Sequence, residues 1–502
     1  MRVLVIGLDG ASPVLIQKWI DKLPNIKRLS ESGVHGVLQS VVPPASVPAW
    51  QCFATGKNPA KIGLFGFATI SRDKRLIKRQ AGPDIGCLWD LSSQKGLKVG
   101  VFNVPGTYPA YPVNGFMVCG FPVPPGKDWA YPRNLMKRLD KAVDGYEVDV
   151  PLTKPSEMRG GEKAYLSQVE RLHSKSLRSA LLLMDWYQPD LFVLTLQGVD
   201  MVQHDFWRYM DHDSSTYSNV VRDWYVKMDE AIGELTSRVA RDTYVLVMSD
   251  HGSVPVSTSF YVNEYLRSQG LLVLKDEAKV RHKGSSYTKL RELILRNFPP
   301  GSINAIYNRA PDFIARRLTT SAKIERFLTD LIENVDWNRT DAFSTGGVQA
   351  NIYLNSDHQE NPRKDLLLSK LYQMFGTLKH PTTGENLRIV FHYRDETFSG
   401  PFTSEAPDVC VEFFAGDQKV HVNPALGSGK LWSFEPHLSA EHVREGFWSI
   451  SGPDVTAGMS LNVSILDLAP TIQKLLSLNV PTDLDGKVLD RIFQTPTSLV
   501  AK

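Results

Sequence analysis

Short apolar runs that end at an acidic residue recur along this 502-residue chain, and they constrain its fold more than any other feature. Val3-Leu4-Val5-Ile6-Gly7-Leu8 runs into Asp9. Leu191-Phe192-Val193-Leu194-Thr195-Leu196 leads to Asp200, with His204 four residues on. Tyr244-Val245-Leu246-Val247-Met248 leads to Asp250-His251. Such runs read as strands buried on both faces, and Lys98 to Val104 adds another. Helical patterns at 160–187 and 214–241 alternate with them, which predicts an α/β fold with a mostly parallel sheet sandwiched by helices. In open sheets of this class ligands bind outside the carboxyl ends of the strands. Three strands delivering Asp and His to one edge point to a metal site, and so to hydrolytic or transfer chemistry.

The length predicts two compact regions. The strand-then-acid rhythm holds over 1–254 and returns at Asp408-Val409-Cys410-Val411-Glu412-Phe413, so 1–254 and 401–502 read as a catalytic core. Residues 255–400 have another texture, basic and rich in Asn, and read as an inserted cap that contacts substrate. Lys279, Arg281, Lys283 and the Arg316-Arg317 pair belong to it, and the first three either grip a polyanion or form a solvated face. A strand at 446–450 and a helix at 465–476 close the fold.

Net charge is +3, from 57 Lys and Arg against 54 Asp and Glu, with no concentrated basic stretch. That excludes an electrostatic binder of nucleic-acid polymers. Cys52, Cys87, Cys119 and Cys410 lie far apart, without the paired spacing of a zinc ribbon or a disulfide framework. No apolar run approaches the roughly 20 residues of a membrane span. The first apolar run stops at Asp9-Gly10, too short for a signal peptide. Together these features predict a cytoplasmic protein without a membrane partner; oligomeric state is not legible.

Taken singly, each motif is ordinary. Asp200 and His204 share a helical face, as many solvated acid–His pairs do. Asp9-Gly10 is a common turn. Their force lies in combination, in a chain with only 12 histidines. The Pro-rich loop Val41 to Trp50 adds a second element. Pro48 suits the first turn of a helix that stops at Gly56, so Ser46 falls at or just before a helix N-terminus. There the dipole and free N–H groups favour an alkoxide or a phosphoryl group, although a helix-capping serine needs no such role. A serine hydroxyl becomes a nucleophile at neutral pH when a bound cation activates it.

Four segments together resemble the type I phosphodiesterase/nucleotide pyrophosphatase family of the alkaline phosphatase superfamily. They are GLDGASP from Gly7, PPASVPAWQCFATGKNP from Pro43, GVDMVQHDFWRYMD from Gly198, and SDHGS from Ser249. A fifth, EHVREGFWSISGP from Glu441, resembles the segment that supplies the family's last metal-binding histidine. The resemblance implies an alkaline-phosphatase-like fold and a two-metal site. Asp9, Ser46, Asp250 and His251 would hold the metal that activates the nucleophile Ser46. Asp200, His204 and His442 would hold the other, facing the leaving group. His442, ahead of an apolar strand, fits the family arrangement better than His437 or His421. Carboxylate and imidazole ligands suit two zinc ions, with manganese or iron left open.

The implied reaction is hydrolysis of a small phosphodiester or pyrophosphate through a phosphoserine. An Asn that vertebrate-type relatives carry three residues after the nucleophile is Ala49 here, leaving Gln51, Lys57 and Lys61 as candidates for the phosphoryl oxygen. The family's frequent His-Gly is replaced by Ile62-Gly63. A sulfatase frame fails, because Ser46-Val47-Pro48-Ala49-Trp50 lacks its Arg. No Arg lies between Ser46 and Lys57, which favours diesters over monoesters. A phosphomonoesterase or phosphomutase-like phosphotransferase is the rival on the same scaffold, and a non-catalytic binding protein the rival from another class. Phe206 reads as core, whereas Trp50 and Trp207 could pack or stack on a base.

Overall fold

The computed structural model describes residues 1–71, 73–77, 85–124, 129–148, 155, 158, 160–210, 215–275, 320–355, 361–436 and 438–494. Five strands form its parallel heart, in the spatial order Tyr244–Met248, Val3–Leu8, Leu191–Leu196, Val99–Val104 and Gly115–Cys119. All six residues of Val3–Leu8 are buried, because side chains alternate faces along a strand and both faces of this sheet are covered. Leu4, Ile6 and Leu8 enter one core with helices Gly161–Tyr187, Gly198–Phe206 and Val220–Thr236. Val3 and Val5 enter the other, with helices Ser46–Thr55 and Leu88–Gln94 and the Leu468–Leu475 helix. The helix expected over 214–241 is thus shorter among the described residues. Glu445–Ser451 extends the sheet antiparallel beside Tyr244–Met248, followed by Val34–Gln39. The ten-stranded sheet is therefore mostly parallel and sandwiched by helices, as expected.

Parallel alignment has a direct consequence for the site. Asp9 and Asp250 leave neighbouring strands in the same direction, and Asp200 begins the helix after the third. Val34–Gln39 and the helix Pro24–Glu31 are pinned to this layer by Asp229. Its carboxylate accepts the N–H groups of Asn25 and Ile26, which begin that helix.

Gly252–Tyr261 starts directly after His251 and leaves the first sheet for a second, eight-stranded one. That sheet runs in the order Ala342–Ser344, Ala350–Leu354, Val409–Ala415, Gln418–Asn423, Gly252–Tyr261, Trp432–Ser433. Arg388–Tyr393 pairs with Val409–Ala415, and Ala440–Val443 with Gly252–Tyr261. Phe260, Phe343, Phe375 and Phe413 fill its core. The run at Asp408 to Phe413, expected to resume the first sheet, belongs to the second. An apolar run announces a buried strand but not its partner, and here the partners are Ala350–Leu354, Arg388–Tyr393 and Gln418–Asn423.

The helix Ser46–Thr55 has every residue from Val47 to Thr55 buried, and it ends at Gly56 in the left-handed conformation. It lies close on the sheet because Gly7 has no side chain: a Cβ there would stand 2.1 Å from the Trp50 ring. Trp50 is fully buried, as is Phe206, and Trp207 packs against the other core, so Trp50 is a packing residue. We expect Gly7→Ala to destabilise by about 1–3 kcal/mol through overpacking, read by urea denaturation. Gly7→Ala/Trp50→Phe should be more stable than the two single effects added, by about 0.5–3 kcal/mol. Simple additivity would show that this contact does not hold the helix down.

Candidate metal centre

Asp9, Asp250 and His251 form one group of potential ligands and Asp200, His204 and His442 a second. In the first, His251 Nε2 lies 3.5 Å from Asp9 Oδ1 and 3.4 Å from Asp250 Oδ2. Ser46 Oγ is 3.4 Å from both Asp9 Oδ1 and His251 Nε2. Ser46 is the first helical residue and Ala45 the cap, so the hydroxyl faces the ligands rather than capping its own helix. In the second, Asp200 Oδ1 lies 3.3 Å from His204 Nε2 and 3.5 Å from His442 Nε2. The two groups meet where the His251 and His442 rings stack, 3.6 Å between centroids.

Backbone carbonyls orient the imidazoles. His204 Nδ1 is 2.9 Å from Ala440 O, His442 Nδ1 3.0 Å from Pro44 O, and His251 Nδ1 3.1 Å from Gly252 O. A carbonyl only accepts, so each Nδ1 carries a proton and each Nε2 is turned inward, where a neutral ring offers its lone pair to a cation. His204 Nε2 and His442 Nε2 face each other across 3.0 Å, so they either share a proton or both turn a lone pair to a cation. Asp200 Oδ1 and Asp250 Oδ2 are buried without a hydrogen-bond donor. Carboxylate and imidazole donors with these orphaned atoms fit a divalent cation in each group.

Electrostatics carry the same demand. Burial pushes the Asp250 carboxyl well above the usual range, and the Asp9 carboxylate adds to it. Burial would lower His251, but Asp250 and then Asp9 draw it up to about 9. Burial would likewise lower His204, yet Asp200 raises it to about 10. Asp200 would rise on burial and is instead held well below by His204 and His442. Burial lowers His442, and His251 adds to that. Without a cation, the site takes up protons to balance its carboxylates.

All seven residues singled out in the sequence as ligands or nucleophile come together: Asp9, Ser46, Asp200, His204, Asp250, His251 and His442. The proposed phosphoryl contacts do not. Lys57 and Lys61 pair with Asp483 and Asp485 at 2.8 and 2.7 Å. Lys57 follows the far end of the Ser46 helix, about 15 Å from its start at 1.5 Å per residue. Gln51 sits about 140° around the helix from Ser46, and its amide donates to Pro105 O at 2.8 Å. His421 is also not a ligand; its Nδ1 lies 2.8 Å from Glu441 Oε2. His437, Lys279, Arg281, Lys283, Arg316 and Arg317 lie outside the described residues.

Two further residues shape the site. Gly10 takes φ +67°, and a Cβ there would stand 2.6 Å from Asp200 Oδ1. Gln203, fully buried between the two ligands of its helix, donates to Gly10 O at 2.9 Å and accepts from Tyr225 at 2.9 Å. The Asp9-Gly10 pair signalled a tight turn, but its closeness to Asp200 is a tertiary fact. Nothing local distinguished Gln203.

This sheet, with a helix-borne serine and two groups of potential ligands at its carboxyl edge, defines an alkaline-phosphatase-like α/β fold. The chain belongs to the type I phosphodiesterase / nucleotide pyrophosphatase family, whose model matches residues 3–358. It is accordingly a hydrolase of the phosphodiesterase/nucleotide pyrophosphatase type. No curated protein sequence matches it. Among solved structures it is similar to murine ectonucleotide pyrophosphatase / phosphodiesterase 5, with TM-score 0.53 and 12% identity over 98% of this chain and 100% of that one. The human protein of the same name gives TM-score 0.53 and 12% identity over 99% of this chain and 100% of that one. At this identity the likeness concerns the fold. Among the described residues no helix is long and apolar enough to cross a membrane.

Two outcomes follow from the geometry. Chelation should lower the thermal midpoint by a few degrees, since a cation held at 100 times its Kd stabilises by about 2.7 kcal/mol per site. An unchanged midpoint after complete metal removal would contradict the fit. Gly10→Ala strains the backbone and displaces Asp200, so it should weaken metal binding at least tenfold, as read by chelator competition.

Proposed function

We propose that the chain is a metal-dependent hydrolase that cleaves small phosphodiesters or pyrophosphates, nucleotide-like compounds among them, through a phosphoserine at Ser46. One observation carries this reading: the Ser46 hydroxyl stands at a helix N-terminus, 3.4 Å from ligand atoms of both Asp9 and His251. Two divalent cations, zinc in our reading, would lower the proton affinity of the Ser46 oxygen and neutralise charge on the leaving oxygen. Asp9, Ser46, Asp250 and His251 would hold the first cation, and Asp200, His204 and His442 the second.

The chain's own residues account for the rest. Ser46 Oγ–H points to Asp9 Oδ1, so the oxygen's remaining lone pairs are free to attack phosphorus. As the bond from Oγ to phosphorus forms and the bond to the leaving oxygen breaks, the Ser46 proton is released to solvent and the leaving oxygen takes one up from it. Water then cleaves the phosphoserine and restores the hydroxyl. The N-terminal end of the helix turns its dipole and the Val47 N–H toward the phosphoryl oxygens, a role that Ala49 has no side-chain donor to fill. We assign substrate selection to the 255–400 cap and the sheet it helps to build.

Ser46→Ala should retain bound metal and lose at least a thousandfold in turnover of bis-(p-nitrophenyl) phosphate. Unchanged turnover would remove Ser46 from the mechanism. Wild-type protein should turn over this diester faster than p-nitrophenyl phosphate; clear preference for the monoester would instead establish a phosphomonoesterase.

A further inference from the structure

Outside the ligand groups, a cluster of charged residues is buried behind His442. Lys419, fully buried, places its ammonium 2.7 Å from Glu412 Oε2 and 2.6 Å from the carbonyl oxygen of His442. Glu412 reaches His392 Nε2 at 3.0 Å. Burial would raise the Glu412 carboxyl, but Lys419 and His392 draw it down to about 2. On the other side Glu441 Oε1 accepts the N–H of His442 at 3.0 Å, while its Oε2 meets His421. Both backbone polar groups of His442 are therefore held by charged side chains.

This arrangement has a strand-level cause. Ala440–Val443 pairs with Gly252–Pro255 on one side, with Ser253 opposite His442. In an antiparallel pair every second residue turns its N–H and C=O away from the partner strand. At His442 those groups meet Lys419, from the strand Gln418–Asn423, and the neighbouring Glu441, where another strand would otherwise lie. A buried ion pair is a poor way to gain stability, since an apolar pair of similar volume often does as well or better. An apolar pair cannot, however, grip a carbonyl and fix the plane of the peptide that carries an imidazole.

We propose that Lys419 and Glu441, backed by Glu412, His392 and His421, are positioning residues that orient His442, so that the second sheet sets the affinity of the second cation. The inference rests on the two-cation reading above. Outer residues of this kind typically alter metal affinity ten- to a hundredfold.

The test is titration of metal-free protein with cobalt(II), following both the visible spectrum and chelator competition. Lys419→Met alone strands the Glu412 charge and should lower the thermal midpoint. Lys419→Met/Glu412→Met removes both charges and should restore that midpoint, yet still bind one of two cobalt equivalents at least tenfold more weakly. Glu441→Ala, which removes the acceptor of the His442 N–H and leaves the 2.7 Å Lys419–Glu412 contact in place, should weaken the same equivalent and keeps the test decisive should the double variant not fold. Wild-type affinity for both equivalents in these variants would overturn the proposal and leave the cluster a structural one. Fewer than two tight equivalents in the wild-type protein would overturn the two-cation reading itself.

Discussion

Three carboxylates brought into one low-dielectric edge dominate the energetics of this protein. Asp9, Asp200 and Asp250 come from separate segments, and the interior offers them few donors. Like charges in such surroundings oppose one another far more than they would in water. The consequences are visible around them: Asp250 is pushed up, while His204 and His251 are drawn upward to supply positive charge. The parallel sheet, the close-lying helix at Gly7 and the stacked imidazoles all maintain a convergence that would otherwise come apart.

Much of that convergence was legible because it is local. An apolar run followed by Asp states both a strand and its carboxyl end, so Asp9, Asp250 and His251 could be placed from a few residues each. Ser46 could be placed by Pro48 and Gly56, which bracket its helix. His442 needed the family resemblance, since its strand is short and its partner, Gly252–Pro255, lies far away in sequence. What could not be read shares that non-local origin. Val409–Ala415 looks the same whichever sheet it joins. Lys57 and Lys61 looked available because their partners Asp483 and Asp485 sit more than 400 residues away. Lys419, between Gln418 and Val420, resembles any exposed position on an edge strand, yet it is fully buried.

The second sheet is joined to the first at the site itself. Gly252–Tyr261 begins one residue after a ligand and pairs with the strand that carries another. The spacing between the ligand groups is therefore set by a β-ladder, which is stiffer than a pair of loops. This also explains how fold likeness can persist at 12% identity to the ectonucleotide pyrophosphatase / phosphodiesterase 5 structures. Strand order and pairing specify the frame, and many sequences satisfy the same apolar alternation.

His204 and His442 touch across a separation of 238 residues. A ribosome adding about 5–20 residues per second needs on the order of ten seconds or more to cover that distance. Asp9, Ser46, Asp250 and His251 have all been made well before His442. A nascent chain thus passes through a stage in which every residue of one group has been made, while the carboxylate and imidazole of the other still lack their third member. The order of residues along the chain makes the meeting of the two groups a late event in the protein's own synthesis.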